Sequence, residues 1–227
     1  MSTVGLVLQH GEWGPPGVLA EWAAARDIEL RVHRAHLGEP LPELDGHAFL
    51  ASLGSAHNPD DRHVAEVAAE LRFVERAVDR GVPVLGLCFG GQMLARVLGG
   101  RIERAPRPEL GWHAVRSVDP QVVPEGPWLQ WHYHRFTLPP GAELLADSPV
   151  GVQAFAHGPH LGVQFHPEST IEIVAEWARL DAERIAGLGM DDGTALLEQG
   201  RHLADAARAA AFRLFDAFHR RTQTSGT

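Results

Sequence analysis

Residues 83–92, PVLGLCFGGQ, decide the fold of this chain. The stretch begins as an apolar run typical of a strand buried on both faces, and a helical pattern over 92–98 follows it. Gly86, Cys88 and Gly90 form G-x-C-x-G, the thiol counterpart of the strand-to-helix turn G-x-S-x-G. A thiol at a helix N-terminus meets the positive end of the dipole, which favours the reactive thiolate. Cys88 is therefore a candidate nucleophile, with a buried structural cysteine as the alternative.

Working outward, the residues before this turn alternate between strand and helix patterns. Strands are predicted at 4–8, 28–32, 48–53 and 82–87, with helices at 18–26 and from about 58 to 78. Repeated β-α-β order predicts an α/β fold, a three-layer sandwich around a mainly parallel, doubly wound sheet. Ligands bind beyond the carboxyl ends of such strands, and both Gly54 and Cys88 follow a predicted strand end.

The second half changes character. Short strands are predicted at 112–118, 128–133, 152–156 and 161–165, a helix at 170–185 and a final alanine-rich helix at 194–219. We expect antiparallel strands added to the parallel sheet, the last helix packed on the core of its own chain, and a loose tail at 222–227. No repeat or linker is evident, which predicts one domain, 1–227, with a helical extension from about residue 190.

Composition limits the partners. The chain has 227 residues, 44% of them hydrophobic, and a formal net charge of -9. An acidic surface repels phosphates, which argues against nucleic acid and anionic membranes as partners. No stretch approaches the roughly 20 apolar residues that span a bilayer. One cysteine excludes a disulfide within the chain, and the N-terminus does not have the pattern of a signal peptide, so the cytoplasm is the expected compartment.

A second motif, VQFHPE at residues 163–168, supplies a base for the thiol. An activated cysteine needs an imidazole within hydrogen-bond reach, and the imidazole needs a third group to orient it. Pro167 favours an extended His166, and alternate residues of an extended segment point to the same side, so Glu168 can approach the ring. A surface loop is the alternative, and the presence of Cys88 argues against it.

Together LCFGGQ and QFHPE resemble the class I, triad-type glutamine amidotransferases, and specifically free-standing proteins similar to the glutaminase domain of GMP synthase. The similarity runs from Gln9-His10-Gly11-Glu12 to Glu168 and includes the segments Leu110-Gly111-Trp112, Gln130-Trp131-His132, Phe136-Thr137-Leu138-Pro139 and Gly141-Ala142. It implies a flavodoxin-like class I glutamine amidotransferase fold.

The resemblance also implies roles for matched positions. Cys88, His166 and Glu168 take the triad positions, and the main-chain amides of Gly54 and Phe89 form the oxyanion hole. Gln92, His132 and Tyr133 are the implied substrate contacts. The implied substrate is glutamine or a γ-glutamyl compound, with ammonia passed to a possible synthetase subunit and no cofactor required.

One position departs from the pattern, because His134 stands where this subgroup often has aspartate. His132 and His134 lack a third ligand of suitable spacing, so no metal site is predicted. Other functions stay open: a stand-alone γ-glutamyl amide or peptide hydrolase, and a non-catalytic regulatory module, against which the intact triad argues. A more distant alternative is a PfpI-like hydrolase, which also has an elbow cysteine in an α/β sandwich, and the downstream H-P-E arrangement argues against it. The sequence leaves the oligomeric state open.

Overall fold

The computed structural model describes residues 3–187 and 193–224, and within them the chain forms ten strands and six α-helices. The strands are β1 Thr3–Gln9, β2 Ile28–Arg34, β3 Phe49–Ser52, β4 Val84–Leu87, β5 Ile102–His113, β6 Arg116–Ser117, β7 Trp128–Phe136, β8 Glu143–Ser148, β9 Gly151–His157 and β10 His160–Val163. The helices are α1 Gly17–Ala24, α2 Ala65–Asp79, α3 Phe89–Val97, α4 Ile171–Leu180, α5 Ala182–Gly187 and α6 Thr194–Thr224.

Eight of these strands form the central sheet, in the order β2-β1-β3-β4-β10-β9-β8-β6. The first five are parallel, and β9, β8 and β6 continue the sheet as antiparallel strands. The predicted mainly parallel sheet with added antiparallel strands is therefore confirmed. Strands β3 and β4 are direct neighbours, so the loops that follow them meet at one edge of the sheet.

Helices cover both faces of the sheet and make three layers. Along β1 the side chains alternate, because Val7 joins the core cluster under α1 and α6 whereas Leu6 and Leu8 join the cluster under α2 and α3. Trp22 from α1 and Phe215 from α6 are fully buried in the first cluster. Burying each such large apolar side chain contributes about 1.5–3 kcal/mol. The prediction that the last helix packs on the core of its own chain is thus confirmed.

Strands β5 and β7 form a separate two-stranded antiparallel ribbon. The prediction that these strands extend the main sheet was wrong for this pair, and β5 begins ten residues earlier than predicted. Pro106 and Pro108 lie inside β5, and the register shifts between Arg104 and Glu109. Proline cannot donate to a strand ladder, which obscures the strand pattern in the sequence. The ribbon packs on α4 through Trp112, Leu129 and Trp177, beside the edge where β3 and β4 end.

Helix boundaries differ from the prediction in three places. Helix α2 begins at Ala65 rather than near residue 58, because a turn comes first. In this turn the Asn58 main-chain N–H donates to the Asp61 carboxylate, and the Asp61 main-chain N–H donates to the Asn58 oxygen. The predicted helix at 170–185 is two helices that break at Asp181. Helix α6 continues through Thr224, so the predicted loose tail was wrong for 222–224, and 225–227 lie outside the described residues.

The structure leaves two further predictions, the start of the helical extension and the single domain, untested. The start of the helical extension, near residue 190, lies outside the described residues, and the single domain stays a prediction. Within 3–187 and 193–224, each helix is too short or too polar to cross a bilayer.

Candidate active site

The turn from β4 into α3 holds Cys88 in a strained conformation. Its backbone has φ 52° and ψ -104°, and residues other than glycine rarely adopt a positive φ. A side chain at Gly90 would collide with the main-chain oxygen of Ser52, and one at Gly86 with that of Gly90. Only glycines permit this close approach, so the G-x-C-x-G pattern has a steric cause. Strain of this kind costs on the order of 1–3 kcal/mol and clusters at functional sites.

The thiol is buried and held from several sides. Cys88 donates its main-chain N–H to the Val163 oxygen at 2.9 Å, which ties the turn to the end of β10. Its Sγ lies 3.9 Å from the Trp131 oxygen and 3.8 Å from Nε2 of Gln164. The side chain is 6% exposed. The thiol therefore has a fixed position beneath the β5–β7 ribbon.

His166 follows β10, the parallel neighbour of β4, and its ring is fixed by Glu168. Nδ1 of His166 lies 2.7 Å from Oε1 of Glu168, and both side chains are buried. The His166 main-chain N–H donates to the Leu129 oxygen at 2.9 Å, which anchors the loop to the ribbon. Val18, in the first turn of α1, donates to the Glu168 oxygen at 2.9 Å. The imidazole and its carboxylate are thus held by elements on both sides.

The surroundings favour a charged imidazole. Burial opposes the charge, but the negative charges of a Cys88 thiolate and of the Glu168 carboxylate raise the pKa of His166 to about 10. The ring is therefore an imidazolium at neutral pH. An imidazolium beside a thiol favours the thiolate, which is the nucleophilic form. Trp177 packs against the imidazole in a T-shaped arrangement, with ring centroids 4.6 Å apart, and shields that side of the ring from water.

These groups open into one cavity of about 260 Å³. The predicted site residues that line it are Gly54, Cys88, Phe89, Gln92, His132, Tyr133 and His166. Glu168 lies behind the imidazole, outside the lining. The structure therefore brings all eight predicted residues together at the carboxyl edge of the sheet. Cys88 and His166 share one cavity there, so both can act on the same substrate.

Two main-chain amides beside the thiol are free to bind an anion. In the described part of the chain, the N–H groups of Gly54 and Phe89 donate to no other group. Phe89 is the first residue of α3, where an N–H has no partner within the helix. A Cβ at Gly54 would lie 2.8 Å from Cε1 of His166, so the loop after β3 is in direct contact with the imidazole. Donors so placed suit a tetrahedral oxyanion.

The predicted substrate contacts differ in which of their hydrogen-bonding groups remain free. Gln92 donates through Nε2 to the His134 oxygen at 3.1 Å, and its Oε1 accepts no hydrogen bond from any described residue. Both ring nitrogens of His132 are occupied, by the His134 oxygen at 2.9 Å and by Glu109 at 3.1 Å. Burial raises the pKa of Glu109, but His132 and other donors outweigh it and lower that pKa. The His132 ring thus serves the buried network, and Gln92 keeps a free acceptor.

Comparisons with known proteins agree with this geometry. The family model described as glutamine amidotransferase class-I matches residues 54–174, slightly more than half of the chain. The matched segment contains Cys88, His166 and Glu168. The chain belongs to the class I glutamine amidotransferases.

Individual relatives refine the picture of this amidotransferase. A GMP synthase [glutamine-hydrolyzing] from Aeropyrum pernix is 37% identical over 161 residues, which cover 67% of this chain and 28% of that protein. The matched segments span less than a third of the length of this and two further GMP synthases to which the chain is similar. Crystal structures of glutamine amidotransferases from Methylobacillus flagellatus (TM-score 0.87, 26% identity, 97% of this chain and 95% of that one) and Thermotoga maritima (0.87, 23%, 96% and 98%) share the fold.

His134 lies at the cavity wall of the amidotransferase site. Burial, followed by the nearby Arg104, lowers its pKa, so the ring is neutral at neutral pH. A neutral imidazole cannot replace the negative charge of the aspartate often found at this position in the subgroup. Among the described residues, no group of three or more His, Cys, Asp or Glu side chains is arranged to hold a metal ion.

A second buried His–Glu pair supports the amidotransferase site and was missed from sequence. His10 follows β1 and contacts Glu70 of α2 at 2.6 Å, while its other nitrogen lies 3.1 Å from the Gly54 oxygen. Ser52 donates to the same carboxylate at 2.7 Å, and the His10 ring packs on Phe89 at 5.0 Å between centroids. Burial opposes the charge, but Glu70 and the backbone carbonyl raise the pKa of His10. The pair therefore holds both residues of the proposed oxyanion hole.

Replacing Glu70 with glutamine is expected to lower the free energy of unfolding by about 2 kcal/mol, because a buried charged donor loses its partner. The pKa of His10 is raised in the folded state, so the contribution of the pair is complete below pH 6.5 and declines as pH rises through the folded value. Urea unfolding at pH 6 and pH 9 measures both effects. Glu66→Gln, exposed on the same helix, is the matched control. Equal losses for the two variants would contradict the role of the pair.

The aromatic and charged wall of the cavity was also missed. Trp177 contacts both Trp13 and Trp131 beside His166, and Asp181 and Arg184 complete the rim. Helix spacing places Trp177 on a buried face, but only the tertiary fold brings α4 over the thiol. The helix break that directs Asp181 into the cavity contains no glycine or proline, so the sequence does not predict it.

Proposed function

We propose that this amidotransferase hydrolyses the side-chain amide of glutamine through a γ-glutamyl thioester on Cys88. One observation carries the proposal: a strained elbow thiol and an imidazolium fixed by a carboxylate line the same small cavity. The family to which the chain belongs supports it. The relative from Aeropyrum pernix is named a glutamine-hydrolyzing enzyme, and the family model spans the segment that holds Cys88 and His166.

In the first half-reaction the Cys88 thiolate attacks the amide carbon, and the carbonyl electron pair moves onto oxygen. The N–H groups of Gly54 and Phe89 stabilise this oxyanion. His166 gives its proton to the amide nitrogen, the C–N bond breaks, and ammonia leaves. Glu168 keeps the imidazole oriented and stabilises its charged form. The thioester between Cys88 and the γ-carbonyl remains.

In the second half-reaction water replaces ammonia. His166, now neutral, takes a proton from the water, and the water oxygen attacks the thioester carbon. The same two amides stabilise the second oxyanion. Its collapse breaks the C–S bond, releases glutamate and restores the thiolate beside the imidazolium. Protons and electrons balance without any further reactant.

The cavity favours a substrate about the size of one amino acid. Its volume of about 260 Å³ lies just below the range typical of small-molecule pockets, about 300–1,000 Å³. Glutamine fits this size better than a γ-glutamyl peptide held wholly inside. Free Oε1 of Gln92 offers an acceptor for the substrate.

We further propose that the ammonia passes to a synthetase, on a separate subunit or another part of the protein. The matched GMP synthases are more than three times as long as the segment they share with this chain, which supports a second catalytic part. A cytoplasmic site of action, where the thiol stays reduced, fits this proposal. A copurifying protein that raises the rate of glutamate release would support the transfer, and no change in that rate with any copurified fraction would argue against it.

Glutamate release from glutamine and from several γ-glutamyl amides by the isolated protein tests the reaction itself. Glutamine turnover, with slower cleavage of bulky amides, is the expected result. Preference for γ-glutamyl amides or peptides would assign a stand-alone γ-glutamyl hydrolase instead. No turnover of any amide and no covalent adduct with an electrophilic glutamine analogue would leave a non-catalytic module and overturn the proposal.

Replacing His166 with asparagine is expected to slow alkylation of Cys88 by iodoacetamide at pH 6.5 by about tenfold or more, because the imidazolium no longer favours the thiolate. Since the pKa of His166 is raised to about 10, the imidazolium should persist from pH 6.5 to 8.5, and the unaltered protein should react faster than the variant throughout that range. Mass spectrometry reports the reaction without ambiguity because the chain has one cysteine.

His63→Asn, on the exposed surface before α2, is the control and should react as the unaltered protein does. Identical pH profiles for His166→Asn and the unaltered protein would show that the imidazole does not activate the thiol.

A further inference from the structure

The cavity carries one charged group of each sign away from the triad. Among the described residues that line it, Asp181 supplies the only carboxylate and Arg184 the only guanidinium. Neither belongs to the predicted site residues. The α-carbon of glutamine carries one ammonium and one carboxylate, so the charges of the rim match those of the free amino acid.

The break between α4 and α5 creates this pair. Asp181 ends α4 with φ -105° and ψ 15°, and its oxygen accepts from the N–H groups of Arg184 and Ile185, both at 2.9 Å, to begin α5. One turn of helix therefore separates Asp181 from Arg184, and both side chains lie on the cavity side. Oδ1 of Asp181 lies 3.4 Å from the nearest guanidinium nitrogen, longer than a good hydrogen bond.

Each group keeps capacity for a ligand. The guanidinium lies over the Tyr133 ring, 5.1 Å from its centroid, and the Arg184 side chain remains 65% exposed. Its contacts include the ion pair with Asp181 and a side-chain hydrogen bond with the Tyr133 hydroxyl, and the exposed remainder of the guanidinium can donate to a carboxylate. Oδ2 of Asp181 accepts from Trp131 at 3.1 Å and Tyr133 at 3.5 Å, while Oδ1 contacts Arg184 alone among the described side chains.

Trp131 connects the rim to the reaction centre. Its main-chain oxygen lies 3.9 Å from Sγ of Cys88, and its indole N–H donates to Asp181 at 3.1 Å. One tryptophan side chain thus separates the thiol from the carboxylate.

We propose that Asp181 and Arg184 bind the α-ammonium and the α-carboxylate of the substrate, so that the enzyme selects amides with both charges intact. The inference rests on the proposed hydrolysis at Cys88.

Three amides that differ by one charged group test the subsite: glutamine, 5-amino-5-oxopentanoate without the ammonium, and 4-aminobutanamide without the carboxylate. Ammonia release gives kcat and KM for each. Asp181→Asn is expected to raise KM for glutamine by about tenfold and to change KM for 5-amino-5-oxopentanoate little. Arg184→Gln should raise KM for glutamine similarly and change KM for 4-aminobutanamide little. Arg179→Gln, in an exposed ion pair with Glu176, is the matched control.

Equal losses on all three amides would show that the pair only supports the fold, and would overturn the subsite. Calorimetric binding of the same amides to Cys88→Ala separates this question from turnover. If the unaltered protein hydrolyses none of them, yet glutamine binds more tightly than either analogue and Asp181→Asn removes the difference, the hydrolase proposal fails and the subsite stands. Equal binding of all three overturns the subsite whatever the turnover.

Discussion

Cys88→Ala is expected to lower glutamate release from glutamine by at least about 10⁴-fold, because no other group in the cavity can form the thioester. Removing a nucleophile leaves only binding and oxyanion stabilisation, which act on water poorly. The measurement is glutamate formation at saturating glutamine over several hours, with the unaltered protein diluted to match. The same variant should also lose the adduct with an electrophilic glutamine analogue.

The thermal stability of the Cys88→Ala protein shows whether lost activity reflects the missing nucleophile or a disturbed fold. The Cys88 side chain is small and 6% exposed, so alanine deletes one sulfur and adds no bulk. We expect thermal unfolding within a few degrees of the unaltered protein. Retained turnover in a folded Cys88→Ala protein would exclude the thioester and move the chemistry to another group.

The residues of the proposed triad could be predicted because each lies in a short motif with a local physical cause. Gly86 and Gly90 are needed where the turn from β4 to α3 packs tightly on itself and on β3. The spacing of these glycines therefore predicts the turn from sequence. Glu168 reaches His166 from two positions away, within a single extended loop. Parallel strand order then brings the two motifs to one edge of the sheet.

Contacts between distant segments could not be predicted in the same way. His10 meets Glu70 across 60 positions, and the sequence contains no local signal that α2 presents a carboxylate to the loop after β1. The position of His10 at a strand end was the one available indication, since ligands and site residues collect at that edge. The ribbon was misplaced because its two prolines weaken the strand pattern, and Asp181 was missed because the helix breaks without a proline or glycine.

Two His–Glu pairs therefore act at different distances from the chemistry. His166–Glu168 faces the thiol, whereas His10–Glu70 holds Gly54 and, through Ser52, the end of β3. Gly90 lies against that same Ser52. Elbow, proposed oxyanion hole and supporting pair thus meet at one point, where a single added carbon should disturb all three.

Gly90→Ala is expected to lower kcat for glutamine by about 100-fold, because a displacement on the order of 1 Å at the elbow misaligns the thiol and the Phe89 amide. The new Cβ would meet the Ser52 main-chain oxygen and lie 2.7 Å from its Oγ. A strand backbone cannot move aside as a flexible side chain can. Overpacking of this kind costs about 1–3 kcal/mol of folding free energy. Urea unfolding and glutamate release on the same preparation measure both effects.

Gly14→Ala separates the steric effect from the general effect of adding a methyl group. No described atom lies within 4 Å of a Cβ at Gly14, so its stability should change by less than about 0.5 kcal/mol. A Gly90→Ala protein with unchanged kcat and stability would mean that the β3 end and the elbow separate easily. In that case the close packing of α3 on β3 could not be what holds Cys88 in its strained conformation.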